Sequence, residues 1–126
     1  MKEIIRTDQA PLPIGPYNQA VRANGCLYIS GQIGIDPNDG SIKNGTLEEE
    51  THQVLTNLGA ILTAAGIGFE HVVKCTVFIR DMSQFARINA VYATYFNEAT
   101  APARETVEVS NLPKNVQVEI SAIAVC

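Results

Sequence analysis

Two patterns of apolar residues alternate along this chain and predict its secondary structure. In six short segments apolar and polar residues alternate, which is typical of half-buried strands. In two longer segments apolar residues recur every three or four positions, which is typical of amphipathic helices. The strand segments are residues 2–6, 19–23, 26–30, 72–80, 104–109 and 116–124, and the helical segments are residues 46–65 and 83–96.

Turn and cap signals support these boundaries. Asn24-Gly25, between the second and third strands, is the favoured two-residue turn of a β-hairpin. Thr46 and Glu49 have the spacing of a helix capping box, and Gly66 is suited to end that helix. We therefore predict a single α+β domain over residues 1–126, with a mixed β-sheet and two helices packed on one face.

The last two strand segments carry the most suggestive pair of charges. On the first, Val107 and Val109 alternate with Arg104, so we expect the valines to face the core and Arg104 to face away from it. We expect Glu119 to lie on the same outer face of a neighbouring or near-neighbouring strand. A guanidinium is suited to grip a carboxylate, and a glutamate can accept a proton from water. The alternative is a solvated cross-strand ion pair.

Composition narrows the classes of function. The chain has 126 residues, 46% of them apolar, and a formal net charge of -4, which argues against electrostatic binding of nucleic acid. Its N-terminus lacks an apolar signal segment and no apolar run is long enough to span a membrane, so we expect a cytoplasmic protein. The three cysteines and two histidines lack the spacing of a metal site.

Four further positions are candidates for ligand contacts, each with a structural alternative. Tyr17 follows a proline-rich loop and could stack on a ligand or pin the loop. Ser30 and Gly31 end the third strand, where Gly31 allows either a close backbone approach to a ligand or a bulge. Asn89 lies on the apolar side of the second helix and could serve a ligand pocket or tie down a loop.

The segment Pro102-Ala103-Arg104, followed by a strand, a short turn and Val118-Glu119-Ile120, resembles the signature of the RidA family, also called the YjgF or L-PSP family. The Gly-Pro-Tyr segment ending at Tyr17, the Ser-Gly-Gln-Ile segment beginning at Ser30, and Asn89 are similar to this family as well, so the resemblance covers nearly the whole chain. The chain departs from the family pattern at two positions. Glu105 stands where a small residue is usual, and Thr106 where cysteine is frequent.

The resemblance implies the RidA fold, which is like that of chorismate mutase, in a homotrimer with its sheets facing inward and active sites between subunits. It implies hydrolysis of 2-imino acids, such as 2-iminopropanoate and 2-iminobutanoate, to 2-keto acids and ammonia without metal or organic cofactor. Arg104 would hold the substrate carboxylate, and Glu119 would orient or deprotonate water. The residues expected to complete the pocket are Tyr17, from a neighbouring subunit, and Ser30, Gly31, Asn89 and Thr106.

The outer face of the predicted sheet gives weak independent support for an assembly. Its mixture of polar and apolar residues is more typical of an interface than of open surface. Two other functions remain open: a regulatory trimer that binds small molecules through Arg104 without turnover, or a family member that acts on RNA or as a chaperone. The residues expected on this face are Tyr28, Thr76, Phe78, Thr106, Ile123 and Val125.

Overall fold

A computed structural model describes residues 1–126 and confirms the predicted order of elements. Short 3₁₀ turns separate several of these elements. The strands are β1 (Glu3–Ile5), β2 (Ala20–Ala23), β3 (Cys26–Gln32), β4 (Val72–Ile79), β5 (Ala103–Glu108) and β6 (Val118–Val125), and the helices are α1 (Leu47–Ala64) and α2 (Phe85–Tyr92).

The six strands form one sheet in the order β1-β2-β3-β6-β4-β5. Strands β4 and β5 run parallel, and all other neighbours are antiparallel, so the sheet is mixed as predicted. Strand β4 lies between β5 and β6, which makes the last two strands near neighbours rather than neighbours. This order places the Arg104 strand at the edge of the sheet and the Glu119 strand near its middle.

The local signals operate as the sequence indicates. Asn24 and Gly25 have φ angles of 52° and 76°, the left-handed pair that a tight hairpin turn between β2 and β3 requires. The Thr46 hydroxyl accepts a hydrogen bond from the Glu49 backbone N–H and caps α1. Gly66, with φ of 80°, follows the end of this helix.

Helix α2 is shorter than the predicted segment 83–96. It begins at Phe85, because Asp81 caps a separate 3₁₀ turn by accepting from the Ser83 N–H. It ends at Tyr92, after which the chain forms a turn in which the Thr94 hydroxyl donates to the Val91 carbonyl. The apolar periodicity continues through these turns, so periodicity alone overestimated the length of the helix.

Both helices pack on one face of the sheet and form a single core with it. Neither helix is long and apolar enough to cross a lipid bilayer. The fully buried side chains include Leu27 and Ile120 from the sheet and Leu55, Leu58 and Ile61 from α1.

The predicted orientation of β5 was wrong. Arg104 pairs with Cys75 and Thr106 with Val77, and these partners on β4 are buried beneath the helices. Because paired residues on neighbouring strands point to the same side, Arg104 and Thr106 lie on the helix face. Val107 instead pairs with Phe78 and is 40% exposed on the outer face.

The error has a physical cause. Strand β5 is the sheet edge, and its residues are exposed or only partly buried on both faces. Alternation of apolar and polar residues separates the two faces of such a strand, but it does not identify the one that the helices cover. The other residues expected on the outer face lie there, as their register shows; they are Tyr28, Thr76, Phe78, Ile123 and Val125.

Candidate active site

Arg104 is oriented by the side chains of one helix. Its Nη1 donates a hydrogen bond of 2.6 Å to Asn89 Oδ1. Its guanidinium carbon lies 4.8 Å from the ring centroid of Tyr92 and 5.5 Å from that of Phe85. Phe85, Asn89 and Tyr92 are four and three residues apart, so α2 presents all three on one side. The helix thus holds the guanidinium by cation–π contacts and one hydrogen bond.

The guanidinium of Arg104 has no anionic partner in the chain. Only its Nη1 donates within the chain, which leaves other N–H groups free for a ligand. A cavity of 640 Å³ opens beside it. This arrangement is suited to bind a carboxylate. The cavity is lined by Asn89, Tyr92, Ala93, Phe96, Glu98, Ala101, Pro102 and Arg104.

Three polar side chains lie on the same face of the sheet as Arg104: Cys75, Tyr92 and Thr106. Cys75, the partner of Arg104 on β4, is fully buried, and burial raises the pKa of the Cys75 thiol. Burial, and then the nearby Cys75 thiol, raise the pKa of Tyr92. The Tyr92 hydroxyl and the Thr106 hydroxyl are buried without a hydrogen-bond partner. Both pKa shifts favour the neutral form of these groups, which therefore do not compete for the guanidinium as anions.

Glu119 lies on the outer face, where it is paired with Phe78 of β4. The side chain is half-buried, and no group of the chain hydrogen-bonds to its carboxylate. Burial raises the pKa of the Glu119 carboxyl above its ordinary value. A carboxylate in this setting is a stronger proton acceptor than a solvated one.

Gly31 determines how closely the backbone approaches Glu119. A Cβ atom built on Gly31 would lie 2.1 Å from Glu119 Oε2, so any other residue would displace the carboxylate. The pairing of β3 with β6 is irregular between Ile29 and Gln32, a stretch that includes Gly31. A direct approach of the Gly31 backbone to a ligand stays a prediction.

Tyr17 and Ser30 lie beside Glu119. Together with Gly31 they line a cavity of 460 Å³ whose walls are mostly loop residues. The Ser30 hydroxyl donates a hydrogen bond of 2.6 Å to the Asn18 carbonyl and so fixes the loop. The Tyr17 side chain is 50% exposed, so its phenol is free to contact a molecule in the cavity or a second protein chain.

Glu105 faces away from Arg104, as strand alternation predicts. Its carboxylate accepts a hydrogen bond of 2.8 Å from the Thr76 hydroxyl and lies 3.2 Å from Lys74 Nζ. Thr76 and then Lys74 lower the pKa of the Glu105 carboxyl. Its charge is thus balanced on the outer face and does not compete for Arg104.

The predicted site residues fall into two groups on opposite faces of the sheet. The cationic half contains Arg104, Asn89 and Thr106, and the acidic half contains Glu119, Tyr17, Ser30 and Gly31. Strand β4 separates Arg104 from Glu119, so a single chain does not bring them together.

Sequence reasoning missed Phe85 and Tyr92, which contact Arg104 directly. Their spacing from Asn89 was the available signal, because it places one polar residue between two aromatic residues on one side of α2. No group of three or more His, Cys, Asp or Glu side chains is arranged to hold a metal ion.

The model of one protein family, described as endoribonuclease L-PSP, matches residues 7–126. A RutC family protein of Synechocystis is 58% identical over 98% of this chain and 95% of its own length. The 2-iminobutanoate/2-iminopropanoate deaminase of Mus musculus is 48% identical over 99% of this chain and 92% of its own length. The crystal structure of E. coli TdcF with bound serine has a TM-score of 0.92 and 43% identity, covering 98% of each chain.

Proposed function

Because this chain belongs to the endoribonuclease L-PSP or RidA family, we propose that it is a deaminase that hydrolyses 2-imino acids to 2-keto acids and ammonia. The observation that carries the proposal is Arg104, a cation without an anionic partner, held by α2 beside an open cavity. The names of the mammalian relatives support the reaction. We propose 2-iminopropanoate and 2-iminobutanoate as substrates.

Arg104 binds the substrate carboxylate. The free N–H groups of its guanidinium provide two parallel donors, which match the two oxygens of a carboxylate. Asn89 and the Tyr92 ring fix the guanidinium plane before substrate arrives, so little side-chain entropy is lost on binding. The serine bound to E. coli TdcF is, like the proposed substrates, a small molecule with a carboxylate.

Glu119 acts on the water. Its carboxylate takes a proton from water as the water oxygen bonds to C2 of the imine, and the electron pair of the C=N bond moves to nitrogen. The protonated carboxyl then donates to the nitrogen. The C2 hydroxyl then gives its proton to Glu119, which passes it to the nitrogen as the C–N bond breaks, so that ammonia leaves, the keto group forms and Glu119 is again a carboxylate. The raised pKa of this carboxyl suits both proton transfers.

We propose that the two halves meet between subunits of a homotrimer. Within one chain they lie on opposite faces of the sheet, so an intact site needs Arg104 from one copy and Glu119 from another. The exposed ring of Tyr17 would close the pocket from the Glu119 side. The outer sheet face exposes Tyr28 and Val125, which a partner would cover.

An alternative function in RNA cleavage has less support. The family description mentions an endoribonuclease, but the chain has 9 basic and 13 acidic residues, the opposite of an RNA-binding balance. A non-catalytic trimer that binds small carboxylic acids would use the same Arg104 half.

The test is an assay with imines generated in situ from alanine, 2-aminobutanoate and larger amino acids by an amino-acid oxidase, with ketoacid formation followed in the presence of a competing amine trap. We expect the protein to accelerate hydrolysis of the imine that the oxidase forms from 2-aminobutanoate. Carboxylate binding without acceleration would instead identify the non-catalytic trimer.

A further inference from the structure

Glu50 is a buried carboxylate outside the two halves of the site. It lies in the first turn of α1 and is 2% exposed. Its Oε2 accepts hydrogen bonds of 2.8 Å from the Gln117 N–H and 3.2 Å from the Val118 N–H. No cation pairs with it. The carboxylate therefore links α1 to the two residues that immediately precede Glu119.

This link takes the place of strand pairing. Strand β3 ends at Gln32, which pairs with Ile120. The residues that precede Ile120 on β6 therefore have no pairing partner on β3. Gln117 and Val118 lie before that point, and the Glu50 carboxylate receives their N–H groups. Without it, two backbone donors at the start of a central strand would lack this partner.

Gly34 makes room for Glu50, at its Cγ atom and its backbone. A Cβ atom at this position would lie 2.9 Å from Glu50 Cγ and 3.1 Å from the Glu50 carbonyl oxygen. Gly34 and Gly31 thus have corresponding roles, since each lets the segment after Ile29 close over a glutamate. The same short segment lies against both glutamates.

Burial disfavours the ionised form of the Glu50 carboxyl group. Burial raises the pKa of the Glu50 carboxyl, and the two N–H groups lower it less. Lys114 is the one charged side chain among the other residues around the adjacent 170 Å³ cavity, and it forms no ion pair with Glu50. A buried carboxylate without a counter-charge is costly, so a role in positioning is the better explanation.

We propose that Glu50 is a positioning residue for Glu119. By accepting hydrogen bonds from the Gln117 and Val118 N–H groups, it fixes the position of the backbone next to Glu119. The Glu119 side chain is thereby held against Gly31. The Gln117 carbonyl is held from the other side by the Arg80 N–H at 3.1 Å, so this backbone has two anchors. The inference rests on the proposed function only because that function has Glu119 take a proton from water.

Two substitutions test the role by kinetics. We expect Glu50→Ala to lower kcat at least about 10-fold and to change KM less than about 3-fold, because the Arg104 half is untouched. Glu50→Gln keeps a carbonyl oxygen that can accept from both N–H groups, so we expect kcat within about 3-fold of the parent. Thr51→Ala is the matched control, since Thr51 is fully buried on the same helix and its hydroxyl bonds only to Leu47.

An NMR titration of the Glu119 carboxyl carbon provides a readout that does not depend on turnover. We expect its pKa to move toward the ordinary value in Glu50→Ala and to stay unchanged in Glu50→Gln and Thr51→Ala. If the parent protein lacks imine hydrolysis but this titration still moves, the deaminase proposal fails and the positioning role stands. An unchanged Glu119 titration in folded Glu50→Ala, or equal losses in Glu50→Ala and Thr51→Ala, would overturn the positioning role.

Discussion

The two halves of the site hold opposite charges by opposite means. Arg104, on the edge strand, is oriented by side chains of α2 and stays exposed. Glu119, on a central strand, is oriented by the backbone around Gly31, is half-buried and lacks hydrogen-bond donors. The Arg104 half holds an oriented cation that has no anionic partner in the chain, whereas the Glu119 half holds a carboxyl group whose ionised form is poorly stabilised.

The difference follows from the chemistry that each half would perform. A residue that grips a carboxylate must remain charged, and aromatic rings support a cation without neutralising it. A residue that exchanges protons must have a pKa near the working pH, so that its protonated and ionised forms are both accessible. Burial without hydrogen-bond donors raises the pKa of a carboxyl group toward that range. The comparison predicts different kinetic consequences when each half is broken.

Removing the acidic function should have the largest effect. Glu119→Gln keeps the shape of the side chain but cannot accept a proton, so we expect kcat to fall about 10²–10⁴-fold with little change in KM. Steady-state kinetics on 2-iminobutanoate provide the measurement. Activity equal to that of the parent would leave Glu119 as a structural residue.

Removing the guanidinium should reduce activity less than removing the carboxylate. The reduction should be measured in kcat/KM rather than in kcat alone. A charge-assisted hydrogen bond contributes about 1.5–3 kcal/mol, so we expect Arg104→Ala to lower kcat/KM roughly 10- to 100-fold or more. Arg104→Lys should rescue only partly, because an ammonium lacks the planar fork. The melting temperature serves as the control: a folded Ala variant with full activity contradicts the grip, and collapse of folding would make Arg104 structural.

Mixing the two variants tests whether the halves meet between subunits. When the impaired Arg104→Ala and Glu119→Gln chains are refolded together at equal amounts, about one site in four combines an intact Arg104 with an intact Glu119. We expect activity to recover toward roughly a quarter of the parent value. Light scattering checks the trimer mass. Failure of folded mixed trimers to regain activity would place both residues in a single-chain site or in none.

The smallest expected effect concerns stability. Because burial raises the folded-state pKa of Glu119, its contribution to stability is complete below the unfolded-state pKa and is lost as pH rises through the folded-state pKa. Glu119→Gln removes this loss, so we expect its melting temperature to exceed that of the parent by about 1–3 °C at neutral pH and by less near pH 4. Calorimetry at several pH values provides the measurement, and a gain that grows toward acid pH would contradict the sign.

Much of the fold could be predicted because its signals are local. The Asn24-Gly25 turn, the Thr46 cap and the period of each segment depend on residues within a few positions of one another, and the structure confirms them. The end of α2 could not be located, because apolar residues recur with the same spacing beyond Tyr92 although the helix does not.

For the candidate site, the sequence by itself determined which residues are candidates for the chemistry, and only the tertiary structure decided where they face. Arg104 and Glu119 were identified from residue type and motif, but period-two alternation specifies two faces without saying which one the helices cover. Pairing of Arg104 with buried Cys75, and of Glu119 with Phe78 on the outer face, decided this. The contacts to Phe85, Tyr92 and Gly31 likewise depend on how distant segments pack, since packing arises between elements and not within them.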